Sequence, residues 1–393
     1  MTSQLPFDVV VGGVPRFTAE SPWAWRLVRR YAKLLPAESR IEVLGRRPTV
    51  ADASGRAPAV LVVADPEAFL VPLAAGRLLA ALSEAGADVA LPVSNEPWCE
   101  EGRISPPFAY HTPSLLEEAA AAVAASHPPA RPARVAKGAV FAARRDVLDL
   151  LPRGLALDEV PGEAARQGRR VAWVGDAYVH RYGDMDASAR SDLASRVPAG
   201  ARAVLDVGCA RGATARVLRE RGVGTVVGIE PDAADAAEAS KTCDRVLACT
   251  LEDVPEEFPG AFDAVLFGDV LEHLADPSAA LARVKPWLAP RGVVVASVPN
   301  VGHWSIVSDL LAGRFDYVPY SLLSGTHVRL FTRSTLMGLF EATGYVVLDV
   351  EGVSMPPSPK GGAALAALAR LPEASADLSV VEFLVVARPR ARL

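Results

Sequence analysis

The sequence predicts an α/β protein whose C-terminal half carries a doubly wound, largely parallel sheet. Three observations carry that expectation. Val204-Leu205-Asp206-Val207-Gly208-Cys209-Ala210-Arg211-Gly212 reads as a short apolar strand running into a glycine-bearing turn and then a helix. Val226-Val227-Gly228-Ile229-Glu230 follows as a second strand that ends on an acid. From Asp186 onward, apolar runs and helical stretches alternate to the C-terminus. In such a fold Gly208 lets the backbone turn tightly beside a ligand, and Gly212 admits close packing where the helix begins. Glu230, at the carboxyl end of its strand, is placed to accept hydrogen bonds from both hydroxyls of a ribose.

Element by element, Asp186–Arg196 reads as a lead-in helix, with strands at Ala203–Val207, Thr225–Ile229, Arg245–Ala248, Ala264–Phe267 and Val293–Ser297. Asp276-Pro277 is a helix start, Asp as N-cap and Pro at the first helical position, so Ser278–Trp287 is expected to be helical. Val346–Val350 and Val380–Val386 are two more strands, joined through Pro356–Ala376 with a short helix near Ala363–Arg370. The N-terminal half reads as a separate α/β unit. Ala59–Val63, Ala139–Ala142 and Val171–Val174 are its strands, and Glu67–Glu84 is a helix that runs through Pro72. Ser114 and Glu117 form a capping box opening an Ala-rich helix to about Ser126, and Pro128–Pro132 is a loop. The expected division is an auxiliary domain over 1–185 and a nucleoside-binding domain over 186–393.

Bulk properties agree with two domains: 393 residues, half of them apolar, are enough for two cores. Net charge is −5 and no basic stripe dominates, which argues against a nucleic-acid partner; Arg131, Arg134 and Lys137 read as a solvated loop. Cys99, Cys209, Cys243 and Cys249 show no Cys-x-x-Cys pairing and read as reduced thiols of a cytoplasmic protein. Met1–Phe7 lacks the basic start and apolar run of a signal peptide, and no apolar run approaches the ~18–20 residues that span a bilayer. A soluble protein without a membrane partner is expected, and the composition does not indicate an oligomeric state.

The turn narrows the ligand. A dinucleotide site uses Gly-x-Gly-x-x-Gly/Ala, because the second glycine lets the backbone touch a pyrophosphate. Here that position is Ala210, whose methyl group would crowd a pyrophosphate but tolerate adenosine without phosphate. S-adenosylmethionine is such a ligand, and the acid-x-Gly-x-Ala-x-Gly spacing of Asp206–Gly212 resembles the first motif of class I methyltransferases. A bare βα turn and a dehydrogenase are the alternatives. The resemblance implies a Rossmann-like seven-stranded sheet whose last strands form an antiparallel hairpin. It also implies cofactor contacts from Asp206, Gly208, Cys209, Gly212, Glu230 and Pro231. Relatives usually carry Asp where Thr250 stands, so Leu251 and Glu252 are expected to take over at the adenine. Phe267 opens the segment beneath the cofactor's methionine end.

That segment is Phe267-Gly268-Asp269-Val270-Leu271-Glu272-His273-Leu274. Asp269, Glu272 and His273 stand at i, i+3 and i+4, so one helical turn would present all three on one side. Their bland alternative is to orient the helix that follows. Pro299 through Phe331 is too long for an ordinary connection of ~2–6 residues and is the natural substrate lid. It carries His303, Trp304, Tyr317 and Tyr320 as candidate acceptor contacts, and His327. Gly313-Arg314-Phe315-Asp316-Tyr317 and Thr326-His327-Val328-Arg329-Leu330-Phe331-Thr332 are similar to methyltransferase domains fused to glycosyltransferases. Ser324-Gly325 stands where those relatives have Asp. The resemblance implies O-methylation of a hydroxyl on a sugar-like or glycosylated small molecule, with His327 or His273 as base and Asp269 as orienter. Asp269, Glu272, His273 and His327 also suggest a divalent site such as Mg²⁺, as in some O-methyltransferases of this fold. The metal-free version is the expectation adopted, because the Leu-Glu-His run is common where no metal binds.

In the N-terminal half, Leu61-Val62-Val63-Ala64-Asp65-Pro66-Glu67, Leu91-Pro92-Val93-Ser94-Asn95, Lys137-Gly138-Ala139-Val140-Phe141-Ala142-Ala143-Arg144-Arg145 and Val174-Gly175-Asp176-Ala177-Tyr178-Val179-His180 resemble family-2 inverting glycosyltransferases of GT-A type. Asp65-Pro66-Glu67 stands where those enzymes hold a metal and nucleotide with Asp-x-Asp, so a degenerate, non-transferring domain is expected. The alternative is a bifunctional glycosyltransferase–methyltransferase.

Overall fold

The structure is a computed structural model that describes residues 6–11, 41–44, 47–65, 68–95, 100–108, 111–133, 137–181, 188–255, 257–318 and 321–390. The chain divides into two compact units, Met1–Gly183 and Asp184–Leu393.

The first unit is built on strands β1 (Phe7–Val11), β2 (Ile41–Val43), β3 (Ala59–Val63), β4 (Ala68–Leu70), β5 (Val89–Ser94), β6 (Arg131–Pro132), β7 (Val140–Arg144) and β8 (Val171–Arg181), in the order β2-β1-β3-β7-β5-β8-β4, with β6 also on β8. Every residue of β3 and β5 is buried, as continuous apolar runs require when both faces of a sheet are covered. Three local expectations are corrected here. Ala68–Leu70 is not helical but pairs antiparallel with β8, and the helix starts at Pro72, where a residue without an N–H fits the first turn. The helix Pro113–Ser126 likewise takes proline first, so its N-cap is Thr112 and Ser114 lies inside it, leaving no Ser114–Glu117 capping box. The Pro128–Pro132 segment ends in a short strand on β8 rather than in loop alone.

In the second unit β9 (Ala203–Val207), β10 (Thr225–Ile229), β11 (Arg245–Leu247), β12 (Phe262–Gly268) and β13 (Leu288–Pro299) run parallel, while β15 (Val380–Pro389) lies antiparallel between β13 and β14 (Tyr345–Ser354). The order is β11-β10-β9-β12-β13-β15-β14. Alternate residues feed two cores, one on each face: Leu205, Val207, Val265 and Phe267 on one, Val204, Ala264 and Leu266 on the other. The chain steps outward from β9 to β11 and then returns to β12 on the other side of β9. The crevice at that reversal, outside the carboxyl ends of the strands, is where this architecture binds ligands.

Helix ends follow local chemistry. Asp276 accepts a hydrogen bond from the Ala279 N–H at 2.9 Å, and Pro277 takes the first position. The helix stops at Val284 and tightens to a 3-10 turn over Lys285–Trp287, shorter than expected, because Pro286 has no N–H to extend it. The lead-in helix is shorter than expected: residues 188–190 are not helical, Arg190 is the N-cap and the helix runs Ser191–Arg196, with Asp186 outside the described residues; the late helix is Pro359–Leu368. Among the described residues no helix is long and apolar enough to cross a membrane.

Candidate active site

The turn after β9 is left-handed at three points: Gly208 at φ 71°, Ala210 at 46° and Gly212 at 73°. A side chain on Gly208 would lie 2.6 Å from Val270 Cγ2, so this glycine lets the Asp269 segment press against the turn. A Cβ on Gly212 would run into Thr242 Oγ1 and come within 3.0 Å of Ala239 Cα. The Gly208 and Cys209 N–H groups donate to the Ile229 carbonyl at 2.8 and 3.1 Å. Glu230 then clamps the turn from β10, its Oε2 accepting from the Ala210 N–H and its Oε1 from the Asp232 N–H, both at 2.9 Å. A carboxylate offers about four lone-pair sites, so acceptor capacity remains for a ribose. Asp206 is buried, and burial, reinforced by Glu230, pushes its carboxyl up to about 7.

The other cofactor candidates divide by direction. Pro231 and Glu252 are exposed, and Thr250 Oγ1 donates to Asp253 at 2.9 Å. Leu251 and Phe267 belong to the core, and the Cys209 thiol is buried in the opposite core, so these three offer backbone rather than side chains at the rim.

The expected helical turn after β12 does not form. Asp269 adopts φ 54°, and residues 271–273 make a turn instead of a helix, so the three side chains are not aligned on one helical face. The Asp269 carboxylate meets the Arg190 guanidinium and accepts from Ser297 Oγ at 2.9 Å, while the Asp269 N–H donates to the same oxygen. Arg190 also bonds Ser297 at 3.0 Å, Asp192 at 2.7 Å and Glu382 at 2.9 Å, and its backbone N–H donates to Thr214 Oγ1 at 3.1 Å. One residue thus ties the helix behind the cofactor turn to the ends of β12, β13 and β15. Burial first, then Asp269, pushes the Glu382 carboxyl up to about 8. Nothing in the local sequence signalled the role of Arg190, because, Asp192 apart, its side-chain partners lie 79, 107 and 192 residues away.

Glu272 is fully buried, and among the described residues neither carboxyl oxygen has a hydrogen-bond partner; burial, helped by Asp269, pushes it well above the usual carboxylate range. Its carbonyl accepts from the Val328 and Arg329 N–H groups at 2.9 and 3.0 Å, which draws His327 in beside it. The His273 and His327 rings meet edge-on with centroids 4.8 Å apart. Ligand atoms of Glu272, His273 and His327 lie within 4.8 Å of one another, a set that excludes Asp269. His327 Nδ1 donates to the Leu322 carbonyl at 3.2 Å, which leaves Nε2 as its acceptor nitrogen. Burial, with His273 adding to it, pushes its pKa down to about 4.

In the insertion between β13 and Phe331, His303 and Trp304 are both buried. His303 is buried and caps the helix Trp304–Leu311, its Nδ1 2.7 Å from Ser305 Oγ, and the Trp304 indole fills the space over Gly361. Tyr317 is half-buried and edge-on to Phe315 at 5.4 Å. Tyr320 lies outside the described residues.

The profile of the methyltransferase-domain family matches residues 151–350. The chain belongs to the class I S-adenosylmethionine-dependent methyltransferases. This methyltransferase is 30% identical over 167 residues to the ubiquinone biosynthesis O-methyltransferase of Pseudomonas paraeruginosa (strain DSM 24068 / PA7), covering 40% of this chain and 71% of that one. The same enzyme of Pseudomonas fluorescens (strain SBW25) is 30% identical over 173 residues, 42% of this chain and 73% of that one. A SAM-dependent methyltransferase of Archaeoglobus fulgidus aligns over 51% of this chain and 94% of its own, with TM-score 0.38 and 17% identity.

Proposed function

We propose that this methyltransferase acts on a hydroxyl of a sugar-like or glycosylated small molecule in the cytoplasm, without a nucleic-acid or membrane partner. The observation that carries the O-directed reading is His327, an imidazole held neutral with Nε2 as acceptor beside His273. S-adenosylmethionine, when bound, supplies an activated methyl group. Glu230 and Asp206 would hold its nucleoside, and Ala210 supplies the backbone bend beside it. His327 takes the hydroxyl proton at Nε2, and the two backbone bonds from Val328 and Arg329 to the Glu272 carbonyl fix its position. The sugar-like acceptor rests on the Gly313–Tyr317 and Thr326–Thr332 runs.

A second reading follows from Glu272. A fully buried carboxyl whose two oxygens have no partner among the described residues, beside two imidazoles, fits a divalent cation. Glu272, His273 and His327 would hold it, and it would lower the pKa of the acceptor hydroxyl.

Arg190 and Asp269, an opposite-charge pair with the Asp269 side chain 45% exposed, complement the zwitterionic amino-acid end of the cofactor. Arg190→Met should weaken S-adenosylhomocysteine by about 1.5–3 kcal/mol while leaving 5′-methylthioadenosine, which lacks that end, unchanged. An equal loss for both ligands in calorimetry would make Arg190 purely structural.

For the N-terminal unit we propose an auxiliary, non-transferring GT-A-like domain. Asp65, the remnant of the metal-binding acid pair, is buried against Arg181 at 2.7 Å. The competing reading is a bifunctional glycosyltransferase–methyltransferase. One experiment addresses both units: incubate the full chain with S-adenosylmethionine and a panel of hydroxylated glycosides and phenols, reading single-methyl mass gains, and separately with UDP-glucose and Mn²⁺. Glycosides should gain methyl groups and no UDP should be released. Methylation of phenols alone would overturn the acceptor class, and released UDP would overturn the degenerate domain.

A further inference from the structure

Cys209 and Cys243 enter no step above, yet both are buried free thiols in the wall of the cofactor turn. They converge over Gly228 of β10: a Cβ built there would lie 2.5 Å from Cys209 Sγ and 3.6 Å from Cys243 Sγ. The Cys209 thiol also lies 3.8 Å from the Ala210 carbonyl, inside the turn itself. Cys209 sits between Gly208 and Ala210, the residue whose N–H donates to Glu230. Next to Cys243, Thr242 Oγ1 donates to the Gly212 carbonyl at 3.0 Å, so the 239–243 corner already braces the far end of the same turn.

We propose that Cys209 and Cys243 form a thiol switch in which oxidation to a disulfide distorts the cofactor turn and reduction restores it. The proposal rests on the reading that this turn holds S-adenosylmethionine. The oxidant is a hydroperoxide such as hydrogen peroxide. The Cys243 thiolate attacks one peroxide oxygen, the O–O bond breaks, and the departing hydroxide takes up a proton as water. Cys209 then attacks the resulting sulfenic sulfur; the S–S bond forms, the S–O bond breaks, and a second water leaves. Two thiols have lost two hydrogens and two electrons, and the peroxide is reduced to two waters. Cys243 is the better first nucleophile, since its pairing with Cys209 holds its pKa down, while the same pairing and burial raise Cys209. A disulfide brings two sulfurs to about 2.05 Å, closer than any non-bonded contact, so the 208–210 backbone must move toward Cys243. The Ala210–Glu230 hydrogen bond, made from a left-handed non-glycine residue, is the first contact to be lost.

The test treats the full-length chain with hydrogen peroxide, maps disulfides by peptide mass, and measures S-adenosylhomocysteine affinity by calorimetry. A linked Cys209–Cys243 peptide, an affinity loss of about tenfold or more, and recovery with dithiothreitol are expected. Cys243→Ser should hold its affinity through oxidation, with Cys243→Ala as the substitute if that variant does not fold, and Cys249→Ser should respond like the unsubstituted chain. Absence of the linked peptide, or a linked chain that binds as before, overturns the switch. A linked peptide in a chain that never bound S-adenosylhomocysteine when reduced would overturn the cofactor reading, and the switch with it.

Discussion

Replacing His327 with alanine is expected to lower turnover by about 10²–10⁴-fold while S-adenosylhomocysteine affinity stays unchanged. The residue is held by the Leu322 carbonyl and by the segment bonded to Glu272, whereas the cofactor turn is held by Glu230 from β10. If it acts as a base without metal, activity survives a chelator. Because burial holds its pKa near 4 rather than 6.5, the neutral imidazole persists well into acid; kcat/KM should fall only as pH drops through about 4, where protonation removes the acceptor lone pair. If a cation is required, a chelator abolishes activity, Mg²⁺ or Mn²⁺ restores it, and Glu272→Gln and His273→Ala are as severe as His327→Ala, with Asp269→Asn milder because Asp269 lies outside the set. Full activity in a His273→Ala/His327→Ala double variant would refute both.

Glu230→Ala should cost about 2–3 kcal/mol in S-adenosylmethionine affinity. The loss has two sources. The ribose hydroxyls lose an acceptor, and the Ala210 and Asp232 N–H groups lose the partners that hold the turn in shape. Glu230→Gln, which keeps one amide oxygen, should lose less than the alanine variant. Unchanged affinity in a folded Glu230→Ala chain, measured by calorimetry, would remove Glu230 from the site.

The cofactor turn was legible in the sequence because its determinants are local: an apolar strand, glycines where φ is positive, and an acid at the end of the next strand. The seven strands of the C-terminal unit were legible for the same reason, since each is an apolar run bounded by turn residues. The Asp269 region misled because i, i+3, i+4 spacing places side chains together only on a helix, and no residue pattern announces a left-handed aspartate. Arg190 was invisible because its partners come from three distant strands. Ala68–Leu70 carries no strand signal of its own length; pairing with β8 decides its state. In the insertion, aromatic content alone does not separate pocket from packing; the structure places the buried Trp304 over Gly361.

The insertion that carries His327 leaves the sheet at Asn300 and rejoins it at Phe331, and those two residues form a bridge with each other. Asn300 is further anchored, its side-chain amide donating to the Asp377 and Val380 carbonyls at 3.0 and 2.8 Å. The chain between them therefore begins and ends at one rung, like a drawer on a single rail. Because loop-closure entropy grows only slowly with length, residues can be added or lost inside such a segment with little cost to the sheet beneath it. On the proposed reading, acceptor choice would then be free to diverge by exchange of the drawer while the turn after β9 stays as it is.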